Sequence, residues 1–181
     1  MDEVRWLDEN EEQAWRALQF MQMQLTGRLA RDVAASSGLS YPDYVVLVAL
    51  TDRPDGRMRA FELGRELGWE QSRVSHHVAR MVGRGLVAYE KCEFDKRGAF
   101  VVITASGRDA IEKAAPGHLA MVRRLFIDVL TPTQLDAIGS AATAVLEALD
   151  GDRSDGDRSD RASAPSRRTA PSPGRRETLL P

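Results

Sequence analysis

Apolar residues recur at helical spacing through most of this chain. Over 11–34, Leu18, Met21, Leu25 and Leu29 fall at three- and four-residue steps, which predicts an amphipathic helix. Ser40 and Asp43 form an S-x-x-D capping box opening a second helix through Tyr44, Leu47 and Leu50. The Arg53-Pro54-Asp55-Gly56 stretch stops it. A short helix around 59–67 places Ala60, Leu63 and Leu67 on one side and ends at Gly68. Another is predicted over 70–84. The pattern then changes: LVAYEKCEFDKRGAFVVIT, from Leu86 to Thr104, holds two β-prone runs joined by the charged tip Glu93-Phe94-Asp95-Lys96-Arg97-Gly98, the form of a hairpin.

Thr104 caps a long helix expected to reach about Leu130, with Ile111, Ala115, Val122, Leu125 and Val129 on one face and His118 among them. Pro116 lies mid-helix and is expected to kink it. Thr131, Pro132 and Gln134 supply a cap, a proline at the first helical position and a capping-box acceptor. Leu135, Ile138, Ala142, Val145 and Leu149 then follow in 3-4-3-4 steps, a seam that wants a partner helix. The fold class is therefore mainly α with a small β-hairpin. It reads as a winged helix-turn-helix with dimerisation helices at both ends, about 11–34 and 105–149, around a DNA-binding unit of about 40–104. From Gly151 the composition shifts to a repeated GDRSD and then a Ser/Pro/Ala/Arg mixture with little to bury, so 151–181 is expected to be a disordered tail after a domain over 1–150.

Charge sharpens this reading. The net charge is −2, so affinity for a polyanion has to come from local clustering. No acidic residue occurs between Glu70 and Glu90, a stretch holding three arginines and two histidines. At about 100° per residue, Arg73, His76, His77, Arg80 and Arg84 fall within about 60° of one direction. Val74, Val78, Met81 and Val82 cluster elsewhere. Gln71, Ser72, Arg73 and Ser75 lie at the N-terminal end, which a recognition helix points at base edges; arginine there can grip guanine and glutamine can pair with adenine. A hairpin immediately downstream can reach the neighbouring backbone or minor groove.

The segment D-K-R-G-A-F-V-V-I-T, 95–104, resembles the D-x-R-x-x-x-x-x-L-T wing signature of the multiple-antibiotic-resistance regulator (MarR) family, with Ile103 in place of leucine. SRVSHHVARMVGRGLV before it is similar to that family's recognition helix leading into the wing. The resemblance spans about residues 11–149 and implies a homodimeric winged helix-turn-helix regulator, a repressor acting on a pseudo-palindromic duplex. It makes Arg97 the wing arginine entering the minor groove, Asp95 the acid that orients it, and Lys96 a phosphate contact. A carboxylate two residues from a flexible guanidinium pre-orders it at small cost, which fits those roles. It further implies a small-molecule effector cleft between the platform and the DNA unit, for which Trp15, Tyr44 and His118 are the candidate lining residues.

Other chemistry finds little footing. Adjacent His76 and His77 diverge by about 100° on a helix and do not share a metal easily, and Cys92 stands alone; no metal or cofactor is expected. No nucleophile-elbow or phosphate-loop motif occurs, so an enzyme is not expected. The acidic N-terminus is not signal-like, no apolar run is long enough to span a bilayer, and a single cysteine fits a reducing cytoplasm. Expected partners are double-stranded DNA, a second copy of the chain and a small-molecule effector. The alternative is a winged-helix protein-interaction module with no direct DNA role.

Overall fold

A computed structural model describes residues 4–91 and 99–163, for Lys91 and 152–163 the backbone alone. The elements run α1 (Glu9–Ser37), α2 (Tyr41–Thr51), β1 (Arg57–Arg59), α3 (Ala60–Leu67), α4 (Gln71–Gly83), β2 (Val87–Lys91), β3 (Ala99–Ile103), α5 (Ala105–Leu125), a 3-10 turn (Ile127–Val129) and α6 (Pro132–Ser163). This is a mainly α chain with a small antiparallel sheet in the order β1-β3-β2. It divides into two compact units, one to Val129 and one from Leu130 on.

Local signals explain most boundaries. Asp8 caps α1 through a reciprocal box with Glu11, so the helix begins at Glu9, two residues before the expected start at 11. Ser40 and Asp43 form their box as expected: the Asp43 amide donates to Ser40 Oγ at 3.2 Å and the Ser40 amide to Asp43 Oδ2 at 3.0 Å. Thr104 Oγ1 accepts from the Gly107 amide and donates back to the Gly85 carbonyl at 2.6 Å, which ties the start of α5 to the turn before β2. Gly107 sits so close to the Leu86 carbonyl that a β-carbon there would overlap it. At the start of α6, the Gln134 side chain accepts from the Thr131 amide, and the Gln134 amide donates to Thr131 Oγ1.

The core of the first unit gathers one face of every element. Val33 of α1, Val46, Leu47 and Leu50 of α2, Leu63 of α3, and Val74, Val78 and Met81 of α4 meet Val87, Val101 and Ile103 of the sheet and Ile111 and Ala114 of α5. The helix-turn-helix joint is the turn Gly68-Trp69-Glu70. Gly68 has φ +64, a left-handed conformation that ends α3 and turns the chain into α4.

Three expectations change. β1 was not foreseen: it is three residues long, two of them arginines, and exists only because Met58 is buried and paired with Val101. α5 runs through Pro116 unbroken but stops at Leu125 rather than about Leu130; a 3-10 turn follows, strapped by Arg123 to Asp128 at 2.7 Å. α6 continues past Gly151 to Ser163, where a tail without structure was expected to begin. In sequence, Asp155/Arg158 and Asp157/Arg161 have the i, i+3 and i, i+4 spacing that favours a helix without a core to bury into. Residues 164–181 of the expected tail lie outside the described residues.

Candidate nucleic-acid interface

α4 shows which of its faces packs. Val74, His77, Val78 and Met81 are buried, which leaves Gln71, Ser72, Arg73, Ser75, His76, Ala79, Arg80, Gly83 and Arg84 outside. The outward centre is a stripe of small residues, Ser72, Ser75, Ala79 and Gly83, with His76 among them. Arg73 and Arg80 flank it on one side. A helix face of this kind lets the backbone approach a groove closely while two long cations reach past its edge. The Ser75 hydroxyl donates to the Gln71 carbonyl at 2.9 Å, leaving its lone pairs outward. No side chain caps the first amides of α4, and no acid stands in its first turn.

Two residues in the expected DNA-contacting set belong elsewhere. His77 is 5% exposed and cannot reach a base. It lies three residues from Val74 and four from Met81, and those two apolar neighbours, rather than the direction of the arginines, set its side of the helix. Arg84 is committed to the fold: its Nη1 donates to Asp43 Oδ2 at 2.5 Å and its Nη2 to the Gly38 carbonyl at 3.2 Å. The guanidinium thus bridges the C-terminus of α4 to the N-terminus of α2.

Asp43 is the hub of this joint, 3% exposed. Burial alone would push its carboxyl up, but hydrogen bonds from Ser40 and the Arg84 guanidinium more than offset this and hold it below the usual carboxylate range. His77 Nε2 faces Asp43 Oδ1 at 3.0 Å, an ion-pair distance without the alignment of a full hydrogen bond. On the other side of the ring, Arg80 Nη2 lies 2.9 Å from His77 Nδ1. A guanidinium only donates, so Nδ1 is the acceptor and the ring proton sits on Nε2, toward Asp43. Trp69 meets the His77 ring edge-on at 5.3 Å, and Arg73 lies over the Trp69 ring at 4.2 Å.

The sheet adds cations that the sequence reading missed. Arg57 and Arg59 of β1 lie 5.0 and 5.2 Å from the centre of the Phe100 ring, on the outer face of β3 where the hairpin leaves the body. Arg57 is also paired with Asp55 and Glu90. Only the β1–β3 pairing brings these residues together, and nothing in their sequence spacing announces it. Trp69 was missed too, although its position four residues before Arg73 is a readable signal. The wing residues Asp95, Lys96 and Arg97, and Cys92, lie outside the described residues.

Two of the three residues expected to line an effector cleft border one cavity. A cavity of about 580 Å³ is lined by Tyr44, Ala115, Pro116, His118, Leu119 and Val122. The Tyr44 and His118 rings are 4.5 Å apart, with Tyr41 6.2 Å from each. His118 Nδ1 is buried with no hydrogen-bond partner, and burial lowers the ring's proton affinity despite nearby Asp32. Trp15 does not join them. It stands 14 residues before Leu29, about 20 Å up α1, is 54% exposed and lies outside the lining.

A two-helix reading unit with a three-stranded sheet behind it defines a winged helix. A family model described as the MarR family matches residues 37–98. AbsC, a MarR family transcriptional regulator from Streptomyces coelicolor, is 39% identical over 82% of this chain and 99% of its own, with a TM-score of 0.77. Sco3205, a MarR family transcriptional regulator of the same organism solved in complex with DNA, is 36% identical over 82% of this chain and 93% of its own, with a TM-score of 0.78. This chain belongs to the MarR family of transcriptional regulators. A MarR mutant from E. coli complexed with operator DNA shares the fold at 18% identity, over 77% of this chain and 99% of its own, with a TM-score of 0.67. No curated protein sequence matches the chain.

Proposed function

We propose that this protein is a cytoplasmic, homodimeric repressor that reads a pseudo-palindromic operator and is released by a small molecule. The observation that carries the DNA-binding part is the outward face of α4: small residues along its centre, Arg73 and Arg80 at its edge, and a first turn free of acids. Gln71, Ser72, Arg73, Ser75, His76 and Arg80 are the base and phosphate contacts, and Arg97 and Lys96 extend them from the wing, oriented by Asp95. Sco3205, solved in complex with DNA, supports the DNA-binding reading.

Assembly rests on exposed apolar surface. Trp15, Leu18, Phe20, Met21 and Met23 of α1 are exposed, as are Ile138, Val145, Leu146 and Leu149 of α6, and clustered apolar side chains of this kind mark interaction surfaces. A second copy covers them, and its two-fold axis places two α4 helices in successive major grooves, about 34 Å apart. The Tyr44–His118 cavity is the effector site, with the unpartnered His118 Nδ1 as its polar anchor. Selection from random duplexes tests the core of this reading. An enriched inverted repeat with half-sites one turn apart is expected; no enriched sequence, or protein capture with no duplex preference, would make it an interaction module instead.

A further inference from the structure

The DNA-reading assignment leaves His77 without a direct role, yet its buried ring meets Arg80 directly and Arg73 through the Trp69 ring. We infer that His77 is a positioning residue for DNA recognition: its neutral ring, backed by Asp43, fixes the Arg80 guanidinium through Nδ1 and fixes Arg73 through the Trp69 ring between them. The inference rests on the reading of α4 as the recognition helix.

Each link is a contact of the fold. Arg80 Nη2 to His77 Nδ1 is 2.9 Å, His77 to Trp69 is an edge-on ring contact at 5.3 Å, and Arg73 lies over Trp69 at 4.2 Å. Behind the ring, Asp43 on α2 faces Nε2 at 3.0 Å and is itself held by Arg84 and Ser40. The groups facing His77 are thus Asp43 from α2, Trp69 from the inter-helix turn, and Arg73 and Arg80 from α4. An arginine fixed before binding has less freedom to lose on meeting a base, and two fixed arginines hold their spacing for a given pair of bases. The imidazole suits the task because it accepts on one nitrogen and donates on the other.

Protonation reverses the arrangement. A charged ring has no acceptor left for Arg80 and places a third cation beside Arg73 and Arg80, with only Asp43 in its favour. Burial, aided by those two arginines, outweighs Asp43 and lowers the ring's proton affinity below the ordinary 6.5, which favours the neutral ring. Acidification therefore has a sign that separates this role from bulk charge. Added positive charge strengthens binding to any duplex, whereas loss of the acceptor lowers the preference for operator over scrambled DNA.

The test is a titration of operator and scrambled duplexes from pH 7.5 to 5.5 with the full-length parent, His77→Phe and His77→Asn. Exposed His76 is present in all three, so whatever it contributes is common to them. The phenyl ring keeps the shape and loses the acceptor; the Asn carbonyl oxygen can take the place of Nδ1 and does not titrate. For His77→Phe, an operator preference lowered about five- to tenfold at pH 7.5 is expected. His77→Asn should recover most of the preference and lose the part of its pH dependence that His77 contributes. Nitrogen NMR of the free parent should show His77 protonated on Nε2 at pH 7.5, a readout independent of DNA. A His77→Phe protein with the parent's preference, a His77→Asn protein no better than Phe, or a ring protonated on Nδ1 overturns the inference. A parent that never distinguishes operator from scrambled duplex overturns the underlying reading instead.

Discussion

Replacing Asp43 with alanine should damage the helix-turn-helix joint more than any surface substitution. The carboxylate closes the capping box of α2, whose loss costs about 1 kcal/mol. It also accepts from Arg84 and faces His77, and stranding groups of this kind costs about 1–3 kcal/mol. The Arg84 side chain is 47% exposed and can turn to water, so its share is discounted toward the low end. Together these give a loss of about 2–4 kcal/mol for Asp43→Ala, and about 1 kcal/mol for Arg84→Ala, where the carboxylate keeps its Ser40 and His77 partners. Urea unfolding followed by circular dichroism measures both, at one fixed protein concentration because assembly adds to apparent stability. The double variant should cost less than the sum, since the two residues share one contact. Acid adds a second signature. Asp43 is held below its ordinary value of 3.8, so its stabilisation is complete above that pH and is lost as pH falls through the folded value. Asp43→Ala should lack that part of the acid limb. A loss under about 1 kcal/mol with unchanged acid unfolding would refute the hub role.

Gly107→Ala should destabilise by about 1–3 kcal/mol in the same assay, because the added methyl meets the Leu86 carbonyl at the start of α5; an unchanged midpoint would mean that this junction yields freely. Arg73→Ala should weaken operator binding by about 1–3 kcal/mol and relax its sequence preference, measured by titration against single-base variants. A uniform loss on every duplex would make Arg73 a phosphate contact only. Truncation before Thr131 should convert a dimer into a monomer in sedimentation, whereas truncation after Ser163 should not; a dimer lacking α6 would move the platform elsewhere.

Much of the fold was legible because its signals are local. Ser40/Asp43, Thr104 and Thr131/Gln134 announce helix starts through bonds that span three residues, and those bonds are present. The hairpin strands were legible from the change of period. β1 was not, because three residues with two arginines become a strand only when β3 is beside them. On α4 the sequence identified the helix, its cations and the packing positions Val74, Val78 and Met81, but put His77 on the wrong side. Reading the direction from Arg73, Arg80 and Arg84 carried His77 outward, whereas Val74 and Met81 hold it inside. The Asp43 that Arg84 and His77 both face lies on α2, 41 and 34 positions away, and no periodicity within α4 contains it. Trp15 was placed with the cleft by residue type alone, and the length of α1 keeps it away.

The central claim, that α4 and the wing read DNA, is tested most directly by titrating the full-length protein against its selected operator and a scrambled duplex over a range of salt. Each phosphate contact contributes a slope of about −0.9 in log affinity against log salt, so several contacts give a steep decline on both duplexes. Tighter binding to the operator at every salt concentration, with Arg73→Ala removing much of that margin, is the result the account predicts. Equal affinity for the two duplexes, or binding indifferent to salt, would contradict it.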